Sequence, residues 1–206
     1  MLKHKMTRRE LLAMAGAFGA LTLVPAREAL AAGQRAATTT LTAQEKSDLI
    51  FMREEEKLAR DVYLTLYDVW GTPVFANIAL SEQQHMDAIL NLLNLYKLPD
   101  PSVGKLVGEF VNAELQALYN ELVERGRQSV VEALKVGGVI EETDIEDLVT
   151  AMDTARPANI DNVYHNLLNG SYNHLRSFAS NLHALTGEPY TAQVVSQAVV
   201  DSILNG

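Results

Sequence analysis

The run Leu80-Ser81-Glu82-Gln83-Gln84-His85-Met86 places a carboxylate and an imidazole three residues apart. On a helix that spacing sets the two side chains side by side, one turn apart, where a single metal ion can bind both. Glu and His fall three apart by chance in many solvated helices, so the pair carries weight only if other helices present further ligands at core-facing positions. Helical phase, read at about 100° per residue, shows that they do. Ile78, Glu82, His85, Ile89, Leu92 and Tyr96 share one stripe, and both polar residues sit in the middle of an otherwise apolar face. A carboxylate in that position is costly unless it is paired or metal-bound.

Three more stripes repeat the pattern. Leu49, Met52, Glu56, Ala59, Tyr63, Tyr67 and Trp70 form one, with Glu56 near its centre. In the acidic run Glu54-Glu55-Glu56, the first two residues turn roughly 200° and 100° away and read as surface charges. Leu134, Gly138, Glu141, Ile145, Leu148 and Met152 form the next, with Glu141 at its heart and Glu142 and Asp144 about 80° to either side, each able to reach inward from the flank. Leu167, Ser171, His174, Phe178, Leu182 and Leu185 form the last, centred on His174, whereas His165 and His183 fall on other faces as surface residues. The aromatic residues Tyr63, Tyr67 and Trp70 read as core in the first place and as electron relays only in the second.

Start and stop signals define the elements that carry these stripes. Thr42-Ala43-Gln44-Glu45 is a capping box that opens a long helix ended by Gly71. Thr72-Pro73 opens a second, running to about Tyr96, and Leu98-Pro99-Asp100-Pro101 then breaks helicity. A crossover over 97–128 holds a short helix from about Asn112 to Arg125, stopped by Gly126. A second capping box, Ser129 to Glu132, starts the third long helix, which ends before Pro157; the fourth runs from about Ile160 to Thr186, closed by Gly187 and Pro189. Thr191 caps an expected terminal amphipathic helix of about 14 residues. No segment alternates with a strand's period of two. Gly137 and Gly138 are expected on the inward face of helix three, where close packing or a local bulge would use them.

Composition bounds the function. The 206 residues suffice for one well-buried domain of ordinary charged and apolar content. Residues 1–31 read as an export signal: Lys3, Lys5, Arg8 and Arg9 at the start, a 14-residue apolar run from Leu11 to Val24, and a small-residue cleavage site at Ala29-Leu30-Ala31. Thr7-Arg8-Arg9-Glu10-Leu11-Leu12 further resembles a twin-arginine signal, the bacterial route for proteins exported folded, with an ordinary secretory signal as the alternative. The apolar run is shorter than the roughly 20 residues a membrane span needs, and no later segment could span. Residues 32–41 then form a polar linker, and 42–206 the domain proper. A periplasmic or otherwise exported location follows.

The absence of cysteine excludes disulfides, iron–sulfur clusters and thiolate metal sites. The net charge is −9, and removal of residues 1–31 takes away five Lys/Arg but two Asp/Glu, so the remainder is more acidic still. Such a surface repels nucleic acid and anionic membrane and tolerates cations.

Glu56-x-x-Ala59-Arg60-x-x-Tyr63 on helix one and Glu82-x-x-His85 on helix two resemble the rubrerythrin branch of the ferritin-like superfamily, and more closely a bacterial group of ferritin-like domains of unknown function. The resemblance covers about residues 45–195, including Gly187-Glu188-Pro189-Tyr190. It implies an all-α, antiparallel four-helix bundle with one long crossover, in which two helices each give a Glu and two each give Glu-x-x-His to a pair of iron or manganese ions. Glu56, Glu82, His85, Glu141 and His174 match that pattern, whereas Ser171 stands where the fourth helix should supply its Glu. Asp144, or Glu142, is the expected replacement; failing that, the site holds one metal ion or none.

The function implied is that of an exported di-iron protein with ferroxidase or peroxide- or oxygen-reducing activity, Tyr63 or Tyr67 hydrogen-bonding the metal-bound oxygen species. A peroxidase would need a separate electron-donor protein, and a homodimer is compatible with the pattern. The alternatives are a non-enzymatic metal-binding or iron-handling protein and a helical interaction domain with a vestigial site.

Overall fold

A computed structural model describes residues 40–206 and shows six helices and no strand among them. The export signal and most of the linker lie outside the described residues. Helix α1 spans Ala43–Trp70, α2 Pro73–Leu95, α3 Ala113–Gly126, α4 Val130–Met152, α5 Ala158–Thr186 and α6 Gln197–Asn205. None is long and apolar enough to cross a membrane.

Local chemistry sets the boundaries. The Thr42 hydroxyl accepts from the Glu45 amide while the Glu45 carboxylate accepts from the Thr42 amide at 2.7 Å, so two orphan donors at the start of α1 are satisfied together. Gly71 stops α1 at φ 62°, a left-handed position that favours glycine, and Pro73 opens α2 two residues later. Asn112 and Ser129 cap α3 and α4 with their side chains. Gly187 ends α5, again left-handed at φ 76°.

So short a link folds α1 and α2 into a hairpin, and a similarly short one folds α4 against α5. The two hairpins meet through α1 against α4 and α2 against α5. Cross-links at one end fix the register: Glu45 accepts from the Arg156 amide at 2.9 Å, and the Tyr96 hydroxyl donates to Asn159 Oδ1 at 2.8 Å. Between the hairpins lies a core that includes Leu49, Met52, Leu66, Phe75, Ile89, Leu134, Leu148 and Phe178, all at most 2 % exposed. Each such side chain contributes about 1.5–3 kcal/mol by leaving water.

The crossover is where the structure departs most from expectation. Glu54 and Glu55, read as surface charges, are only 3 % and 7 % exposed. Helix α1 is covered on two sides, by the core and by the crossover with α3, so its phase had no solvent-facing half to offer. Charge ties the strap down. Glu54 accepts from the Val111 and Asn112 amides at the start of α3, Arg53 forms a two-pronged pair with Asp100, and Lys57 donates to Asp61 and to the Leu106 carbonyl. Asp61 also accepts from the Gly108 amide at 2.9 Å. A charged row on α1 thus does the work that apolar contacts do on its other face.

The C-terminal segment differs too. The expected 14-residue helix from Thr191 is a nine-residue helix capped by Ser196, and residues 191–196 run as a non-helical strap. The reason is Glu142. Its carboxylate accepts from the Tyr190 hydroxyl at 2.6 Å and from the Gln193, Val194 and Val195 amides, which holds those residues out of a helix. A Cβ on Gly138 would lie 2.0 Å from the Tyr190 hydroxyl, so this glycine admits the strap rather than facing the centre of the protein, while one on Gly137 would collide with the Phe178 ring. Glu142→Ala should therefore cost about 3 kcal/mol in urea unfolding, because four donors lose a charged acceptor. Amide exchange should accelerate first in residues 190–206.

Candidate metal centre

The apolar stripes turn their polar members toward one another midway along the helices. Glu56 from α1, Glu82 and His85 from α2, Glu141 from α4 and His174 from α5 are all under 9 % exposed. They form two trios with one member in common. Ligand atoms of Glu56, Glu82 and His85 lie within 4.8 Å of one another, and so do those of Glu82, Glu141 and His174. Glu82 divides its oxygens between them: Oε2 is 2.9 Å from His85 Nδ1, and Oε1 is 2.8 Å from His174 Nδ1. Glu56 Oε2 approaches His85 Nδ1 at 3.2 Å, and Glu141 Oε2 approaches His174 Nδ1 at 3.4 Å. The imidazoles stack with centroids 5.4 Å apart.

Both histidines offer the same nitrogen. Their other nitrogens face outward, His174 Nε2 to the Ser81 hydroxyl at 2.8 Å and His85 Nε2 toward Gly170. A Cβ at Gly170 would lie 2.5 Å from His85 Nε2, so only glycine lets α5 approach the ring. Neither Ser81 nor Gly170 carried a signal in helical phase. Ser81 sits beside Glu82 and off its stripe, and a lone glycine inside a helix has many ordinary uses.

Asp144 belongs to neither trio, though it is 6 % exposed and lies against them. One of its oxygens accepts from the Ser171 hydroxyl at 2.5 Å, so the residue in place of the expected fourth-helix Glu positions the carboxylate on α4. Its Oδ1 has no hydrogen-bond partner. Glu142, the other candidate, points away to the C-terminal strap and is not part of the cluster. Of the two tyrosines, Tyr63 is fully buried and its hydroxyl donates to Glu141 Oε1 at 2.5 Å, packed against Phe75 and Phe178. Tyr67 is 39 % exposed and has no place at the site. His165 and His183 are exposed, as expected.

Without an ion, burial and neighbouring charges favour protons on most of these groups. Burial raises Glu56, and although His85 partly offsets this, the carboxyl is pushed up to about 7. Burial would raise Glu82 as well, but contacts with His174 and His85 overcome it and hold the carboxylate down to about 2. Burial would lower both histidines; Glu56 and Glu82 instead push His85 up to about 12, and Glu141 and Glu82 push His174 up to about 10. Asp144 is driven well above the usual carboxylate range by burial and then by Glu56. Each proton held this way is one that a cation would displace.

The residues fit a metal. Glu56 Oε1, Asp144 Oδ1 and His174 Nδ1 are buried with no hydrogen bond, the last despite its 2.8 Å approach to Glu82, because the angles are wrong for one. Unpartnered buried polar atoms are rare, and here two of the three belong to the trios and the third to the carboxylate beside them. Carboxylate oxygen and imidazole nitrogen suit iron, manganese or zinc. The buried Glu and His groups could hold a metal ion.

Comparison with known proteins agrees on the chain's kinship. The crystal structure of a hypothetical protein, MJ0754 of Methanococcus jannaschii, superposes with a TM-score of 0.80 at 45 % identity, covering 84 % of this chain and 98 % of that one. The corresponding Uncharacterized protein MJ0754 of Methanocaldococcus jannaschii is 47 % identical over 165 residues, 80 % of this chain and 89 % of the relative. A DUF305 fragment from Deinococcus radiodurans shares only the fold, with a TM-score of 0.51 at 17 % identity over 69 % of this chain and 97 % of the fragment. A family model described as an uncharacterized protein domain, DUF2202, matches residues 45–206, and the chain belongs to that family.

Proposed function

We propose that this protein is a ferritin-like metalloprotein that holds two metal ions, iron or manganese, in the centre of an antiparallel four-helix bundle. The observation that carries this reading is the division of Glu82 between two histidines, with Oε2 facing His85 and Oε1 facing His174. A carboxylate placed so would offer one oxygen to an ion in each trio, and Glu56 and Glu141 complete the two trios from opposite hairpins. Asp144 supplies a further oxygen through Oδ1, which nothing else uses.

Two ferrous ions held here would supply electrons to oxygen or hydrogen peroxide. The protein's own residues do the rest. Tyr63 donates to Glu141 and fixes which oxygen faces inward, Ser81 lies 2.8 Å from His174 Nε2, where it would accept from that nitrogen once Nδ1 held a metal, and Ser171 orients Asp144. Tyr63 packs in a tilted aromatic trio with the buried Phe75 and Phe178, which holds its ring, and so its hydroxyl at Glu141, in place. With no cysteine in the chain, sustained reduction would require a separate donor protein. The basic start and twin arginines at Arg8-Arg9 suit export to the periplasm after the metal has been loaded in the cytoplasm.

Titration of metal-free protein with Mn²⁺ should show two equivalents. Uptake must displace protons from His85, His174 and Glu56, so affinity should rise with pH and calorimetry in buffers of different ionisation enthalpy should show net proton release. The stability of the metal-free form should move the opposite way. A raised carboxyl such as Glu56 stabilises the fold below its unfolded value near 4.5 and loses that contribution as pH rises through about 7; the raised histidines stabilise below 6.5 and lose theirs through about 10 and 12. Metal-free protein should therefore melt lower at pH 8 than at pH 6, and the gain on adding Mn²⁺ should be larger at pH 8. Glu82→Ala should abolish binding of both ions, Ser81→Ala should weaken it by about 10–100-fold, and His183→Ala should leave it unchanged.

Ferrous-loaded protein given hydrogen peroxide and a reductant should consume peroxide over many turnovers. Stoichiometric oxidation that stops after one cycle would instead identify an iron-handling protein without peroxidase activity.

A further inference from the structure

The centre is closed on the side of α1 and α4, yet a row of carboxylates leads outward from it there. Asp144 lies beside Glu56 and Glu141, Glu55 beside Asp144, and Asp147, one turn after Asp144 on α4 and half-buried, beside Glu55. Glu55 is 93 % buried by its 7 % exposure, and its Oε2 has no hydrogen-bond partner; Asp144 Oδ1, equally buried, has none either. The cations nearest on α1 are engaged elsewhere, Arg53 with Asp100 and Lys57 with Asp61 and the Leu106 carbonyl. Beside Glu55 lies a small, largely apolar cavity of about 40 Å³ between α1, α3 and α4, lined by Leu118, Leu122, Val139, Ile140 and Thr143.

We infer that Asp147, Glu55 and Asp144 form a cation inlet, through which a divalent ion passes from the surface to the buried trios by exchange from one carboxylate to the next. Packing alone would favour an apolar residue at Glu55, since a buried carboxyl oxygen without a hydrogen-bond partner, here Oε2, costs free energy that a leucine there would not. Glu55 Oε2 and Asp144 Oδ1 instead each keep a lone pair that no protein donor occupies and that a passing cation could use. The ligand atoms of the row do not gather into a third cluster, so it suits transit rather than storage. This inference rests on the metal reading of the centre and adds the route by which that centre fills.

The test is the rate of loading. The full chain, freed of metal, is mixed with Co²⁺ in a stopped-flow spectrometer, and the visible absorbance of the bound ion is followed to its end point. Glu55→Gln and Asp147→Asn should each load about tenfold or more slowly than wild type, with the same final absorbance and equilibrium affinity. Glu146→Gln, which removes the same charge from an exposed position on the same helix, should load at the wild-type rate. Asp147 lies at the rim, so its variant keeps the test valid even if Glu55→Gln unfolds, as circular dichroism would reveal. Unchanged rates in Asp147→Asn and folded Glu55→Gln would overturn the inlet while leaving the centre intact, as would equal slowing by Glu146→Gln or a lower final absorbance. A wild-type chain that takes up no Co²⁺ would overturn the metal reading itself.

Discussion

Everything in this molecule is arranged around one buried carboxylate shared by two imidazoles. Glu82 is 2 % exposed and lies between His85 and His174, and the nearby Glu56, Glu141 and Asp144 leave the acidic groups in excess. A charge imbalance inside an apolar core demands a counterion, and protons or metal cations are the choices available. In the absence of metal, the neighbouring carboxylates favour protons on both histidines. Two cations would satisfy the same groups with less strain on any one of them.

The rest of the fold holds that cluster in register. Gly170 lets α5 come close to the His85 ring, Gly137 makes room for Phe178, and Tyr63 reaches across from α1 to α4 to hold Glu141. Outside the core, α1 and α4 are braced by carboxylates with purely structural work. Glu54 anchors the crossover and Glu142 the C-terminal strap, each by accepting backbone amides that would otherwise lack partners. The same residue type thus serves in two ways in neighbouring positions: Glu54 and Glu142 are saturated with donors, whereas Glu55 and Glu56 each keep an unpartnered oxygen. Satisfaction of hydrogen bonds, more than burial, separates bracing carboxylates from those that could take a ligand.

That distinction also marks what could be read from the sequence. Helical phase brought Glu56, Glu82, His85, Glu141 and His174 onto inward stripes, and caps at Thr42 and Ser129 placed two helix starts, because both depend on local periodicity and backbone chemistry. Phase assumes one buried face per helix. It failed for Glu54 and Glu55, where α3 covers the opposite side of α1, and for Glu142, whose partners lie some fifty residues later in the strap. It also misjudged Tyr67, which is 39 % exposed although Trp70, one turn later on the same stripe, packs against the core. The terminal helix was misjudged for a related reason: Thr191 is a competent cap, but Glu142 claims the amides of the residues that would have formed its first turn.

The central claim, two ions bridged by Glu82, is tested most directly by anomalous diffraction from crystals of the protein loaded with Mn²⁺. Two anomalous peaks are expected about 3.5–4 Å apart on either side of the Glu82 carboxylate, one beside His85 Nδ1 and one beside His174 Nδ1. Full occupancy at a single position touching only one histidine, or no peak within bonding distance of Glu82, would contradict it.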